Sequence, residues 1–361
     1  MAKKTNPSAL HESGSEKSVA SVNSDAAEKF KARRKNTLSE EDLLTKLLEG
    51  NKAALGRAIT LIESNQPKHK KNAEILIEGA LPHAQKSIRI GITGVPGVGK
   101  STFIESFGSY LVNQGKRVAV LAVDPSSTVS RGSILGDKTR MENLVKEKNA
   151  FVRPSPSGES LGGVARKSRE SILLCEAAGF DVILIETVGV GQSETTVHSM
   201  TDFFLLLKLA GAGDELQGIK RGIIEMADAI VINKADGHNL KAAREAKMEF
   251  KRALNLYPTK DSGWKPKVNL CSALKNTGIS EVWELILKYI KQTKENGYFE
   301  HNRREQNKFW MFQTIDEHLK NRFYRDPNIK EALKIQLMAI ENNKTTAFAA
   351  ANELIRKFGA S

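Results

Sequence analysis

The run Ile88-Arg89-Ile90-Gly91-Ile92-Thr93 leads directly into Gly94-Val95-Pro96-Gly97-Val98-Gly99-Lys100-Ser101-Thr102, and a stretch with helical spacing follows. A strand, a glycine-rich turn and a helix in that order are the context in which the pattern GxxxxGK[ST] acts as a phosphate cradle. Few features restrict a fold as strongly, because the loop must leave the carboxyl end of a buried strand and open a helix. Gly94, Gly97 and Gly99 put no Cβ in the way of backbone N–H groups, those of Val98 and Thr102 among them, that curl around phosphate oxygens, and the helix N-terminus adds a favourable dipole. Lys100 is then placed to reach the β- and γ-phosphates, and the Ser101 hydroxyl to coordinate Mg²⁺.

The rest of the chain is patterned to hold such a loop. Ile88 to Thr93, Val118 to Val123, Val182 to Ile185, Phe203 to Leu209, Ala229 to Ile232 and Val268 to Cys271 read as strands separated by longer helical stretches. That alternation predicts an α/β fold, a P-loop NTPase with a mostly parallel sheet flanked by helices. Near-continuous Val, Ile and Leu in the strands predicts burial on both faces. Four segments follow from the pattern. Residues 1–37 are polar and aperiodic and read as a flexible tail; 38–86 form a helical N-terminal segment with Ser39 as the first N-cap; 87–292 form the P-loop domain. Residues 293–361 are helical and carry Phe309, Trp310, Phe312, Ile315, Leu319 and Phe323, then Leu333, Ile335, Leu337, Met338 and Ile340. That is more apolar surface than isolated helices can leave in water, so this segment is expected to act as a helical C-terminal dimerisation arm.

A formal charge of +13 raises the question of nucleic acid, but Lys and Arg are interleaved with Asp and Glu, which reads as solvated helix faces; no nucleic-acid partner is expected. Two cysteines, Cys175 and Cys271, support neither a disulfide framework nor a paired-cysteine metal site. No run approaches the roughly eighteen apolar residues of a membrane span, and no signal core follows Met1, so a cytoplasmic protein without a membrane partner is expected.

A second phosphate-facing element is Asp181-Val182-Ile183-Leu184-Ile185-Glu186-Thr187-Val188-Gly189, an apolar strand ending in a carboxylate and then a glycine. A carboxylate at this strand end holds Mg²⁺ through its water shell in P-loop NTPases, and the Gly189 N–H is placed to meet the γ-phosphate. Here the carboxylate is Glu186, where Asp is usual. Val120-Leu121-Ala122-Val123-Asp124 directs a further carboxylate to the same sheet edge, where open α/β folds bind ligands. Asp137, in the glycine- and serine-containing stretch that follows, is a second candidate for organising magnesium and water.

Ala229-Ile230-Val231-Ile232-Asn233-Lys234-Ala235-Asp236 ends another buried strand in N-K-x-D. Asp236 can accept hydrogen bonds from the ring N–H and exocyclic amine of guanine, whereas adenine presents the wrong pattern on that edge, so GTP is selected over ATP. Ser272-Ala273-Leu274, after the last strand, is similar to the loop by which GTPases touch the guanine oxygen through backbone N–H.

Taken together, Gly91 to Thr102, Asp124-Pro125-Ser126-Ser127, Arg153 to Gly158, Gly162 to Arg166, Ile185 to Glu194 and Asn233 to Asp236 resemble the methylmalonyl-CoA mutase-associated GTPases of the MeaB/ArgK type, also labelled LAO/AO transport ATPases. The resemblance covers about residues 40 to 361. It implies a homodimer that escorts a cobalamin-dependent acyl-CoA mutase, gating adenosylcobalamin delivery and protecting or reactivating the enzyme through GTP binding and hydrolysis to GDP. It also implies a phosphate and magnesium centre of Lys100, Asp124, Asp137 and Glu186, with Lys100, Asp124 and Glu186 as catalytic residues. Gly211 to Lys220 resembles the family's additional switch loop, whose Asp214, Glu215, Gln217 and Lys220 would respond to the mutase. The tail at 1–37 departs from the compact family pattern.

Ras-type enzymes place a glutamine directly after the switch glycine; this chain has Val190 there, with Gln192 three residues beyond Gly189. Slow hydrolysis by the protein alone, stimulated by the mutase, is therefore expected. Three other readings are a kinase of an amino-acid-binding transport protein, a metallochaperone GTPase for nickel or another metal, and a nucleotide-locked adaptor that never turns over. Scattered histidines and the absence of a Cys-x-Cys pair disfavour the metallochaperone.

Overall fold

The computed structural model describes residues 39–64, 66–123, 141–154, 161–187, 193–211 and 221–359. Within them a single seven-stranded sheet, parallel at every pairing, runs in the order β3-β2-β4-β1-β5-β6-β7. The strands are β1 (Ile88–Gly94), β2 (Val118–Val123), β3 (Ala150–Arg153), β4 (Val182–Thr187), β5 (Phe203–Leu209), β6 (Ala229–Asn233) and β7 (Lys267–Leu270). Six had been expected from sequence, and the sheet is wholly rather than mostly parallel. β3 is the addition: four residues at the sheet edge, only its first fully buried, and too short to show a period.

Successive strand residues point to opposite faces, so each strand feeds two cores. Ile90, Ile92, Val120 and Leu184 pack on one side with Phe103, Phe107 and Ile286. Ala119, Leu121, Ile183 and Ile185 pack on the other with Leu43, Leu47, Leu55 and Ile59. The first face is covered by α4 (Lys100–Asn113) and α10 (Ile279–Glu295), and the second by α1 (Glu40–Leu48), α2 (Lys52–Glu63), α3 (Pro67–Ala80) and α6 (Leu161–Ala177). Ser39 caps α1 as expected, its Oγ accepting from the Asp42 N–H at 3.1 Å. Short helices α5 (Glu142–Lys146), α7 (Ser193–His198) and α8 (Arg221–Met226), with α9 (Leu240–Leu254), complete the layers. No helix among the described residues is long and apolar enough to cross a membrane, and Cys175 and Cys271 are buried free thiols.

The chain ends in α11 (Tyr298–Arg325), α12 (Pro327–Glu341) and α13 (Ala347–Gly359). Asp326 caps α12, accepting from the Asn328 and Ile329 N–H groups, with Pro327 at the first helical position. The start of α11 is tied to the amino edge of the sheet by a buried ionic knot. Arg303 donates to Asp202 Oδ1 at 2.7 Å and Oδ2 at 2.6 Å, and to the carbonyls of Gln85 and Ser87 at 2.8 and 2.7 Å. Beside it, Arg89 forks onto both oxygens of Glu176 at 2.8 Å, and the Ser87 hydroxyl adds a third bond at 2.7 Å. Burial pushes the Glu176 carboxyl up, but the Arg89 bonds and charge, Ser87 and the Arg303 charge outweigh it and hold the group below the usual carboxylate range. Farther along the arm the pattern inverts: Phe312, Met338 and Phe348 are 59 %, 63 % and 79 % exposed.

Candidate functional site

β1 ends at Gly94 in the middle of the sheet, flanked by β4 and β5, so the phosphate loop leaves from the centre of the carboxyl edge. Two glycines there are obligatory. A Cβ on Gly94 would lie 2.7 Å from the Leu207 carbonyl oxygen, and Gly99, at φ 91°, would place one 2.9 Å from Asn233 Nδ2. Gly99 is also the N-cap of α4, so the helix begins at Lys100 with its N-terminus facing the loop. Lys100, 9 % exposed, folds back over the loop, its Nζ 2.7 Å from the Gly94 carbonyl. Val98 is buried, while Gly97 and Thr102 face solvent.

The neighbouring strand β4 brings a carboxylate to the loop. Glu186, near the end of β4, is 8 % exposed and accepts from the Ser101 hydroxyl at 3.4 Å. The last β4 residue, Thr187, donates to the Thr93 hydroxyl of β1 at 2.9 Å, a fully buried bond that locks the two strand ends together. Ser101 and Glu186 are thus brought together at the loop. Hard oxygen donors at the foot of a phosphate loop fit Mg²⁺. Asp124, Asp137, Gly189, Asp214, Glu215, Gln217, Lys220 and the tail at 1–37 lie outside the described residues.

Asn233-Lys234-Ala235-Asp236 and the segment after β7 converge on the same loop from the other side. Asn233, 2 % exposed, donates to the Val98 carbonyl at 2.9 Å and accepts from the Ala273 N–H at 3.2 Å. Lys234, held at φ 56°, donates to the Gly97 carbonyl at 2.9 Å. Asp236 accepts from the fully buried Ser272 hydroxyl, which itself accepts from the Lys275 N–H at 3.2 Å. The motif therefore has two jobs. Asn233 and Lys234 fasten the phosphate loop, and Asp236 is left with its carboxylate oriented by Ser272. Leu274, by contrast, is 76 % exposed and contributes no side-chain packing.

Residues that sequence reasoning passed over complete the frame. Ser106, on α4, donates to the Ala273 carbonyl at 2.6 Å, and Asn239 donates to the Lys234 carbonyl at 2.7 Å. One of several polar residues on α4, Ser106 gives no signal of its own; it matters because its hydroxyl reaches the loop after β7. Ser106→Ala is expected to weaken GTP binding about fivefold, the worth of one net hydrogen bond, with hydrolysis per bound nucleotide little changed. Fluorescent-nucleotide titration reads it, and unchanged affinity would mean that Asn233 alone positions the Ala273 loop.

Residues 55–328 match the family model described as methylmalonyl-CoA mutase-associated GTPase MeaB. GTPase ArgK of Escherichia coli is 44 % identical over 85 % of this chain and 92 % of its own. The mouse methylmalonic aciduria type A homolog, a mitochondrial protein, is also 44 % identical, over 88 % of this chain and 79 % of its own. A crystal structure of a LAO/AO transport system kinase superposes with a TM-score of 0.72 at 36 % identity, covering 90 % of this chain and 99 % of that one. With the phosphate loop, the Ser101–Glu186 pair and the Asn233–Asp236 frame assembled at one sheet edge, the chain belongs to the MeaB/ArgK family of P-loop GTPases.

Proposed function

We propose that this GTPase is the chaperone of a cobalamin-dependent acyl-CoA mutase, methylmalonyl-CoA mutase in the first instance, gating adenosylcobalamin delivery and protecting or reactivating the enzyme. The observation that carries the reading is the family match over residues 55–328, to GTPases described by their association with that mutase. In this reading Asp236 selects guanine, and the phosphate loop with Lys100 neutralises the phosphates. Ser101 and Glu186 hold Mg²⁺, together with Asp124 and Asp137; when bound, the ion offsets charge that develops on the phosphate oxygens. Lys100, Asp124 and Glu186 serve the chemistry, Gly189 meets the γ-phosphate, and Asp214, Glu215, Gln217 and Lys220 respond to the mutase. Hydrolysis is slow until the partner binds.

The exposed apolar side chains of α11, α12 and α13, with Phe312, Met338 and Phe348 among them, support a homodimer joined through the C-terminal arm. Such a protein would work in the cytoplasm, without nucleic acid or membrane as partner.

The test is a pull-down from native lysate with the protein loaded with a non-hydrolysable GTP analogue, run beside light scattering of the purified protein. A retained acyl-CoA mutase that accelerates GTP turnover, and a mass of two chains, are expected. Retention of an amino-acid-binding transport protein, with ATP displacing GTP, would favour a transport-linked kinase instead; retention of a nickel enzyme would overturn both.

A further inference from the structure

Helix α5 is five residues long, too short to persist by itself, and it has no cap of its own. Its N-cap residue is Met141, which makes no side-chain cap bond; caps are ordinarily Ser, Thr, Asp or Asn just before the helix. The cap comes instead from α4. Glu105 Oε1 accepts from the Asn143 N–H at 2.9 Å and the Leu144 N–H at 3.2 Å, across 38 and 39 residues. Leu144, fully buried, lies against Gly108, one turn along α4, where a Cβ would stand 2.6 Å from Leu144 Cδ2. Met141 and Leu144 both enter the core on the α4 face of the sheet.

Two details separate this from ordinary helix capping. One carboxylate oxygen does all the holding, while Glu105 Oε2 is buried with no hydrogen-bond partner among the described residues. An unmatched buried acceptor costs about 1–3 kcal/mol, so a glutamate here is a poor choice for stability alone. The second detail is where Glu105 stands. It follows Ser101 by four residues on α4, so the two share a helix face, about 6 Å apart along the axis. Ser101 donates to Glu186 at the loop; one turn farther along, the same face grips the start of α5. The next residue, Ser106, reaches the Ala273 carbonyl. Consecutive side chains of the phosphate-loop helix thus hold two distant segments.

Chain order sets what α5 anchors. The residues before Met141 carry Asp124 and Asp137, and Asp137 is four residues upstream of Met141. With α5 held, Asp137 is tethered four residues from a fixed point; with α5 loose, the next fixed point is Ala150 of β3, thirteen residues away. Effective concentration falls roughly as the −3/2 power of tether length, here about sixfold.

We infer that Glu105 is a positioning residue of the GTPase centre: by fixing α5 to the phosphate-loop helix it sets the effective concentration of the Asp137 carboxylate at the magnesium ion, a role that rests on the proposed place of Asp137 there.

The test uses the full chain loaded with a non-hydrolysable GTP analogue, with Mn²⁺ as the probe ion and its binding read by electron paramagnetic resonance. Glu105→Ala is expected to weaken Mn²⁺ binding about sixfold and to raise amide hydrogen exchange at Asn143 and Leu144 about tenfold. Glu105→Gln, which keeps an accepting oxygen, is expected to restore most of both. Nucleotide affinity in EDTA should match the parent's in both variants, because Lys100, Asn233 and Lys234 are untouched; this certifies the fold. In turnover assays Glu105→Ala should need more Mg²⁺, with kcat at saturating Mg²⁺ within about twofold of the parent's, a split that general loss of structure would not give. Asp137→Asn is the reference and should itself weaken Mn²⁺ binding. If it does while Glu105→Ala binds Mn²⁺ as the parent does, the positioning role is wrong and the metal reading stands. If Asp137→Asn binds Mn²⁺ normally, the place of Asp137 at the ion falls, and Glu105 loses its role with it. Equal losses of Mn²⁺ affinity and of nucleotide affinity in EDTA, not relieved by glutamine, would make Glu105 a general support of the fold and overturn the positioning role.

Discussion

Asp236→Asn should lower affinity for GTP by about a thousandfold and create measurable affinity for XTP. The carboxylate is placed to accept from both the ring N–H and the exocyclic amine of guanine, and each hydrogen bond to a charged acceptor is worth about 1.5–3 kcal/mol. Asparagine has the same shape and can still accept from the Ser272 hydroxyl that orients Asp236. It then turns an N–H toward the guanine amine, where donor meets donor. Xanthine carries a carbonyl at that position and accepts the new N–H. Because Asn233 and Lys234, not Asp236, fasten the phosphate loop, the loop should survive the substitution. Equilibrium titration with fluorescent GTP, XTP and ATP analogues reads the exchange. If the variant kept the parent's preference for GTP, guanine would have to be read elsewhere.

Arg303→Ala should cost about 3–5 kcal/mol of stability, the range for removing one member of a buried ion pair and stranding the other. The guanidinium makes four hydrogen bonds, two to Asp202 and two to the Gln85 and Ser87 carbonyls. Without it the carboxylate of Asp202, 4 % exposed, is left with the Arg89 N–H at 2.8 Å. A fall in melting temperature of about 10 °C follows for a domain of this size, read by calorimetry. The damage lies at the amino edge of the sheet, so the fraction still folded should bind GTP nearly as the parent does. A melting temperature within a degree or two of the parent's would show that α11 is held by Trp310 and its neighbours, not by the ionic knot.

The site and the knot differ in how visible they are along the chain. The phosphate loop is local chemistry: three glycines, a lysine and a serine within eight residues, after an apolar run that could only be a buried strand. Glu186 and Asp236 were legible for a related reason, each being a carboxylate at or just beyond the end of such a run, and parallel strands present those ends to one edge. β3 was not legible, because four residues at an edge, half exposed, carry no period. Ser106 was invisible for want of any pattern. Its partner Ala273 lies 167 residues away, and only tertiary packing brings α4 and the loop after β7 together.

The sequence by itself thus determined the strand-loop-helix cradle, the base being read and the family, since each rests on neighbours within a dozen residues whose backbone preferences and side-chain chemistry act locally. Tertiary structure decided the rest. It set the strand order, the use of Asn233 as a clasp on Val98 across 135 residues, and the closure of Arg303 on Asp202 across 101. The physical reason is the same in each case: a hydrogen bond or cavity between distant segments exists only after burial of the two sheet faces has chosen which strand ends and helices become neighbours.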